Sequence, residues 1–170
     1  YHASRQMTEL LMEKGKIPGF IGVTTRDEAA GFSRKKGFEA ALRSKKIPFR
    51  QEQMMEAGFD IASGYQKMKE LLKQVPDVDS VFCATDNIAI GAMMYLKEIG
   101  KSIPKDIQLA GIGDTPQSRI VTPRLSTVHF YYKTSGMEAA SMLVERMESE
   151  QAVHKELKMG YEIIKNASMR

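Results

Sequence analysis

Ser80-Val81-Phe82-Cys83-Ala84-Thr85-Asp86-Asn87-Ile88-Ala89-Ile90-Gly91-Ala92 joins two different patterns in one short stretch. Ser80 to Ala84 is an apolar run without alternation, which suits a strand buried on both faces. Thr85-Asp86-Asn87 supplies the short polar side chains that cap a helix. Ile88, Ala89, Ala92, Leu96 and Ile99 then recur at helical spacing as far as Gly100. A doubly buried strand feeding directly into a helix is half of a βαβ unit, and the flanking sequence repeats it.

Upstream, Gly19-Phe20-Ile21-Gly22-Val23-Thr24 is a second apolar run, preceded by Ala3, Met7, Leu10 and Leu11 at helical spacing until Gly15. From about residue 29 to 45, Phe38, Ala41 and Leu42 mark a helical face among Arg34, Lys35, Lys36, Arg43 and Lys45, and Ile47-Pro48 ends it. Residues 49–56 are polar and weakly strand-like, and Ile61, Tyr65, Met68 and Leu72 form another stripe closed by Pro76. Downstream, Ile107 to Gly113 is a further strand. Three or four strand-then-helix units in a row predict an α/β fold, a doubly wound parallel sheet with helices on both faces. After Pro123 the rhythm changes to a short strand over 125–130, a long helix over about 134–148, a polar link around 150–155 and a last strand over 161–164. That order predicts a chain that leaves the sheet and returns.

The whole chain has 170 residues, 42% hydrophobic and 27% charged, which suits one domain or one lobe of something larger. Twenty-five Lys and Arg against 21 Asp and Glu leave a formal charge of +4, far from the basic stripe that nucleic-acid binding needs. Lys35-Lys36 and Lys45-Lys46 read as helix surface. The lone Cys83 forms no internal disulfide and suits a reducing cytosol. No stretch approaches a membrane span, and Tyr1-His2-Ala3-Ser4-Arg5 shows no secretion signal. The chain opens on Tyr1 rather than Met, so a longer polypeptide is expected around it.

In an open α/β sheet, ligands bind beyond the carboxyl ends of the strands, where strand order reverses. Four loops qualify: 24–28, 58–63, 85–87 and 113–117, carrying Asp27, Glu28, Asp60, Asp86 and Asp114. Carboxylates with a cation and an aromatic plate suit a sugar, because each carboxylate accepts from hydroxyls and the ring packs on the apolar sugar face. An acid between strand and helix is more often an N-cap, Arg34 alone would be a solvated charge, and Phe59 alone a core residue; their shared edge singles them out. No phosphate loop, nucleophile elbow or dinucleotide turn is present, and His2, His129 and His154 make no metal spacing with Cys83. No enzyme activity, cofactor or metal is expected. His129 and Cys83 read as structural, and the Met residues as core filler.

Several strings carry a resemblance. Arg34-Lys35-Lys36-Gly37-Phe38 with Ala40-Ala41-Leu42, Phe59 to Tyr65, Val78 to Ala92, Gly100 to Asp114, Thr122-Pro123-Arg124-Leu125-Ser126-Thr127-Val128, and Ile163 to Ser168 follow one another as they do in the effector-binding core of the LacI/GalR family of bacterial transcription regulators. The chain resembles that core over nearly its whole length.

The resemblance implies a periplasmic-binding-protein-like type I architecture, two α/β lobes joined by three crossing strands. Residues 1–126 and 156–170 would form the C-terminal lobe, and residues 127–155 an excursion whose helix packs into the N-terminal lobe. The DNA-binding headpiece and most of the first lobe would lie outside this sequence, so the chain is expected not to bind DNA by itself. The implied role is that of a cytoplasmic repressor whose small-molecule effector, a sugar or sugar phosphate and most specifically a disaccharide such as sucrose or trehalose, shifts the two lobes and with them operator affinity. Homodimers are implied, with no membrane partner. Arg34 falls on the family's effector-contacting arginine, Phe59 on a stacking position, Phe130 on a crossover position lining the cleft, and Glu28 on a loop that contacts effector in some members. Thr85 stands where many sugar-binding members have Asn, and Gly113 where many have Asp; Asp86 and Asp114 are the neighbouring acids that remain. The alternatives are a secreted sugar-binding receptor of a transporter, which shares the fold, and a flavodoxin-like enzyme. An apolar face of the 134–148 helix left bare without the first lobe predicts association or swapping of this fragment.

Overall fold

The computed structural model describes residues 1–148 and 153–170. Strands β1 (Pro18–Gly22), β2 (Met54–Glu56), β3 (Ser80–Cys83) and β4 (Gln108–Ala110) form a parallel sheet in the order β2-β1-β3-β4. Every residue of β1, β3 and β4 is buried, and apart from Ser80 and Gln108, whose polar groups are hydrogen-bonded, these segments are apolar. The chain passes from β1 out to β2 and then back across β1 to β3, so the direction of winding reverses between β1 and β3.

Helices α1 (His2–Leu11) and α2 (Ser33–Ser44) pack together on one face, and α3 (Ile61–Gln74) and α4 (Asp86–Glu98) on the other. On the first face Phe38 stacks on Phe20 with centroids 5.0 Å apart and lies 6.4 Å from Phe82. On the second, Leu71 and Val78 fill the space a side chain at Gly19 would need. A core of fully buried Leu, Ile, Phe and Met side chains on both faces makes hydrophobic burial the main stabilising term of the fold.

Beyond β4 comes the five-residue α5 (Pro116–Ile120), then β5 (Thr127–Phe130), which pairs antiparallel with β6 (Tyr161–Ile164). Ala110 bridges Ser126 in parallel, so β5 extends from the outer side of the main sheet. Between β5 and β6 lies α6 (Tyr132–Glu148), in which no residue is buried. Met137, Leu143, Val144 and Met147 on it are 62%, 58%, 50% and 78% exposed. The terminal segment returns to the lobe: Ser168 Oγ donates to the Leu109 carbonyl (2.6 Å), Leu109 N–H donates to the Ser168 carbonyl (2.9 Å), and Arg170 N–H donates to Gln108 Oε1 (3.1 Å).

The α/β class and the parallel sheet agree with the sequence reading; the strand expected over 107–113 is only Gln108–Ala110, and four further details differ. Residues 49–56 hold a strand only at 54–56, behind a 3₁₀ turn at Gln51–Gln53. The helix expected from about 29 begins as a π-turn at Glu28–Phe32 before α2. The cap of α4 is Thr85, whose hydroxyl accepts from Ile88 N–H (3.3 Å), so Asp86 is the first helical residue and does not cap. Helix α6 begins at Tyr132 rather than about 134, immediately after β5. The polar link around 150–155 falls partly outside the described residues.

Candidate functional site

All four parallel strands present their carboxyl ends to one edge, and each loop there opens a helix with a side-chain cap. Asp27 accepts from Ala30 N–H (2.7 Å), Asp60 from Ser63 N–H (2.8 Å), Thr85 from Ile88 N–H (3.3 Å) and Thr115 from Ser118 N–H (3.3 Å). The N-cap reading thus holds for Asp27 and Asp60, whereas Asp86 and Asp114 do something else.

Arg34, on the first turn of α2, reaches across the switch point between β1 and β3 and donates through Nη1 to the Ala84 carbonyl. Its own carbonyl accepts from Ser4 Oγ of α1 (2.5 Å), which anchors the turn that carries it. Burial pulls the guanidinium below the ordinary arginine value, opposed by the nearby Tyr132, Asp27 and Asp86. Among the described residues only Nη1 is engaged, so Nε and Nη2 keep their donors. Arg34 is therefore not a solvated helix charge. Phe59, on the loop after β2, is 48% exposed rather than a core residue, and its carbonyl accepts from Asn87 Nδ2 (3.2 Å), which ties it to the start of α4. Glu28 is exposed in the first turn after β1.

Asp86 is 0% exposed. Its Oδ1 accepts from Thr127 Oγ1 (2.6 Å) and its Oδ2 from Thr115 N–H (2.9 Å). Burial raises this carboxyl above the usual range, and the bonds from Thr127 and Thr115 act the other way. Asp114 adopts a left-handed backbone with φ 49°, and its carboxylate accepts from Arg119 Nε (3.0 Å), Arg119 Nη2 (2.5 Å) and His129 Nδ1 (2.9 Å). The hydrogen bonds from Arg119 hold it below the usual carboxylate range. These two acids, singled out from sequence as ligand contacts with Thr85, have their oxygens engaged by protein groups, and the Thr85 hydroxyl is engaged as a cap.

Phe130 lies on the opposite face of β5 from Thr127 and His129, half-buried, with Tyr132 and Tyr161 packed edge-on at 5.9 and 6.4 Å. Of the residues singled out from sequence, Arg34 keeps unengaged donors, Phe59 and Glu28 are exposed on loops at the carboxyl edge, and Phe130 stands half-buried at the end of β5. Arg119, Thr127 and His129 were not identified from sequence as part of this edge, and Thr115 only as a member of the 113–117 loop. The glycines flanking Ile112 were the available signal: a Cβ on Gly111 would stand 2.5 Å from Asp86 Oδ1, so the bare backbone marks where a carboxylate is inserted. Among the described residues no group of three or more His, Cys, Asp or Glu is placed to hold a metal, and no helix is long and apolar enough to cross a membrane.

Residues 9–169 match the family described as the periplasmic binding protein-like domain. The HTH-type transcriptional repressor PurR of Actinobacillus pleuropneumoniae is 34% identical over 133 residues, which is 78% of this chain and 38% of the repressor. The PurR repressor of Photorhabdus laumondii gives the same figures. The chain therefore spans about 38% of the length of the curated relatives it matches. Among solved structures, a transcriptional regulator CelR–cellobiose complex superposes with a TM-score of 0.92 at 28% identity, covering 98% of this chain and 51% of that one. A LacI family transcriptional regulator from Silicibacter pomeroyi gives 0.87 at 26% identity, covering 99% and 62%. With the parallel sheet, the switch-point arginine and the ordered motifs, these matches make the chain a member of the periplasmic binding protein-like domain family, of the LacI/GalR effector-binding type.

Proposed function

We propose that this chain is the C-terminal part of the effector-binding core of a transcriptional repressor, in which a small molecule held at the carboxyl edge of the sheet sets the arrangement of two lobes. The observation that carries this reading is Arg34. It is a partly buried cation at the switch point, tied to the Ala84 carbonyl, with donors left over and the exposed Phe59 ring on the same edge. Residues 1–126 and 156–170 form one lobe in this reading, and 127–155 an excursion to the other; the bare surface of α6 supports that division. The coupling is a free-energy difference between lobe arrangements, typically about 1–3 kcal/mol. Operator binding belongs to a headpiece outside these residues, the working unit is a homodimer, and the place of action is the cytoplasm.

The effector in this reading is a neutral sugar, with a disaccharide the foremost candidate. Arg34 and Glu28 meet its hydroxyls, while Phe59 and Phe130 pack on its apolar faces. With Arg119 and Asp114 paired to each other and Asp86 buried and fully bonded, Asp27, Glu28 and Asp60 stand beside Arg26 and Arg34 along the edge. That balance disfavours a phosphorylated ligand. Titration calorimetry of the intact protein with cellobiose, sucrose, trehalose, ribose and glucose 6-phosphate tests the reading. A neutral sugar should bind, and Arg34→Ala should weaken it about tenfold or more, which is about 1.4 kcal/mol. An Arg34→Ala protein that binds every compound as tightly as the parent would overturn the assignment.

A further inference from the structure

We infer that Asp86 is a positioning residue of this edge: its buried carboxylate fastens the crossover strand β5 and the loop after β4 to the start of α4, and thereby sets where Phe130 and Tyr132 stand relative to Arg34. The inference rests on the effector-binding reading above and adds to it the part that holds the site in register.

Three segments far apart in sequence meet at this one side chain. Thr127, 41 positions away, donates its hydroxyl to Oδ1, and Thr115, 29 positions away, donates its backbone N–H to Oδ2. The Asp86 N–H donates to the Ile112 carbonyl (3.0 Å), and Thr127 Oγ1 in turn accepts from Asp114 N–H (3.2 Å). Asp86 and Thr127 are 0% and 1% exposed. Gly111 and Gly113 leave the space: a Cβ at either would stand 2.5 or 3.3 Å from an Asp86 oxygen. A carboxylate this deep is costly unless each oxygen is bonded, and here each is, so the acid, both threonines and the glycines act as one joint.

The joint lies at the first residue of β5. Side chains alternate along the strand, so Thr127 and His129 face the loops, and His129 is held by Asp114 at 2.9 Å. Phe130 points to the other face, against Tyr132 and Tyr161. One face of the strand is therefore fastened at two points, and the other carries an aromatic group of the proposed site. A slip at Thr127 displaces Phe130 and the start of α6 together.

The test uses the intact protein with Thr127→Val, which keeps the shape and removes the donor, and Thr127→Ser, which restores it. Hydrogen exchange should rise about tenfold in residues 111–115 and 127–132 of Thr127→Val, with the amides of β3 exchanging as in the parent and Thr127→Ser close to the parent. The tightest sugar of the calorimetric panel should bind about tenfold more weakly to Thr127→Val and normally to Thr127→Ser, although Thr127 offers a ligand no surface. Exchange unchanged in Thr127→Val, or raised equally in β3, overturns the inference. So does a sugar affinity lost in Asp86→Asn yet intact in Thr127→Val, which would make Asp86 a direct contact. If no compound of the panel binds, the effector reading fails while the exchange result still decides the joint.

Discussion

A carboxylate that accepts from an arginine and a histidine at once contributes most when it is ionised. Asp114 is 9% exposed, and the Arg119 hydrogen bonds hold its carboxyl below the usual range. For a depressed acid the stabilisation is present above its ordinary value, about pH 4, and is lost as pH falls through the depressed one. Asp114→Asn should therefore lower the thermal midpoint at pH 7, and its difference from the parent should shrink as pH falls from about 4 towards 2; scanning calorimetry across that range checks it. A constant difference would mean that the variant loses an acceptor for Arg119 and His129 and not the stabilisation tied to the charge. Cys83 gives a second residue-scale expectation. It is 0% exposed in β3, and burial pushes its thiol well up, so a thiol reagent should label it only as fast as the chain unfolds. The strand ends were legible in sequence and with them the loops carrying Phe59 and the acids, whereas Arg34 sits on α2 and was drawn to this edge by the resemblance. The role of Asp86 was not legible, because its partners Thr115 and Thr127 are set by tertiary structure, and no local pattern marks a bond across 41 positions.

At the scale of elements, the packing of α3 on α4 depends on missing side chains. A Cβ on Gly91 would stand 2.0 Å from the Ile61 carbonyl oxygen, and one on Gly64 would stand 2.3 Å from that of Ile88. Both obstacles are backbone, which cannot swing aside. Gly91→Ala should cost about 1–3 kcal/mol through forced separation of the helices, outweighing the gain of about 1 kcal/mol that alanine brings to a helix. Gly136 lies in α6 with nothing within 4 Å, so Gly136→Ala should raise stability by up to about 1 kcal/mol. Urea unfolding of the two variants should move the midpoint in opposite directions. The helices were legible because apolar residues at helical spacing report a buried face directly. The short strand β2 was not, since three residues, Met54 to Glu56, are too few to carry a period and its edge position buries only Met55. The π-turn at Glu28–Phe32 was missed for a related reason: Asp27 caps it as it would cap any helix.

For the whole molecule, the apolar surface of α6 decides behaviour in solution. Met137, Leu143, Val144 and Met147 are at least half exposed, and burying one such side chain is worth about 1.5–3 kcal/mol. The 170-residue chain should therefore associate at micromolar concentration, and Leu143→Glu with Met147→Glu should shift it towards monomer in light scattering. A parent chain that is monomeric under the same conditions would count against this. The break in strand-helix rhythm at Pro123 was legible in the sequence. How α6 sits was beyond it, because an amphipathic pattern reports that a face wants cover without saying what covers it.

The return of the last residues to β4 also sets an order of events. Leu109 exchanges hydrogen bonds with Ser168, and Ser126 N–H donates to Ser168 Oγ (2.8 Å), so the outer side of β4 is completed by residues made some sixty positions later. While the chain is being synthesised, β1, β2 and β3 can pair as they emerge and Ser126 can meet the Ala110 end of β4, but the edge at Gln108 and Leu109 stays open until Asn166 to Arg170 are free. The lobe is thus built from its middle outward and closed last, and through that interval the Gln108–Leu109 edge is open to pairing with a wrong strand.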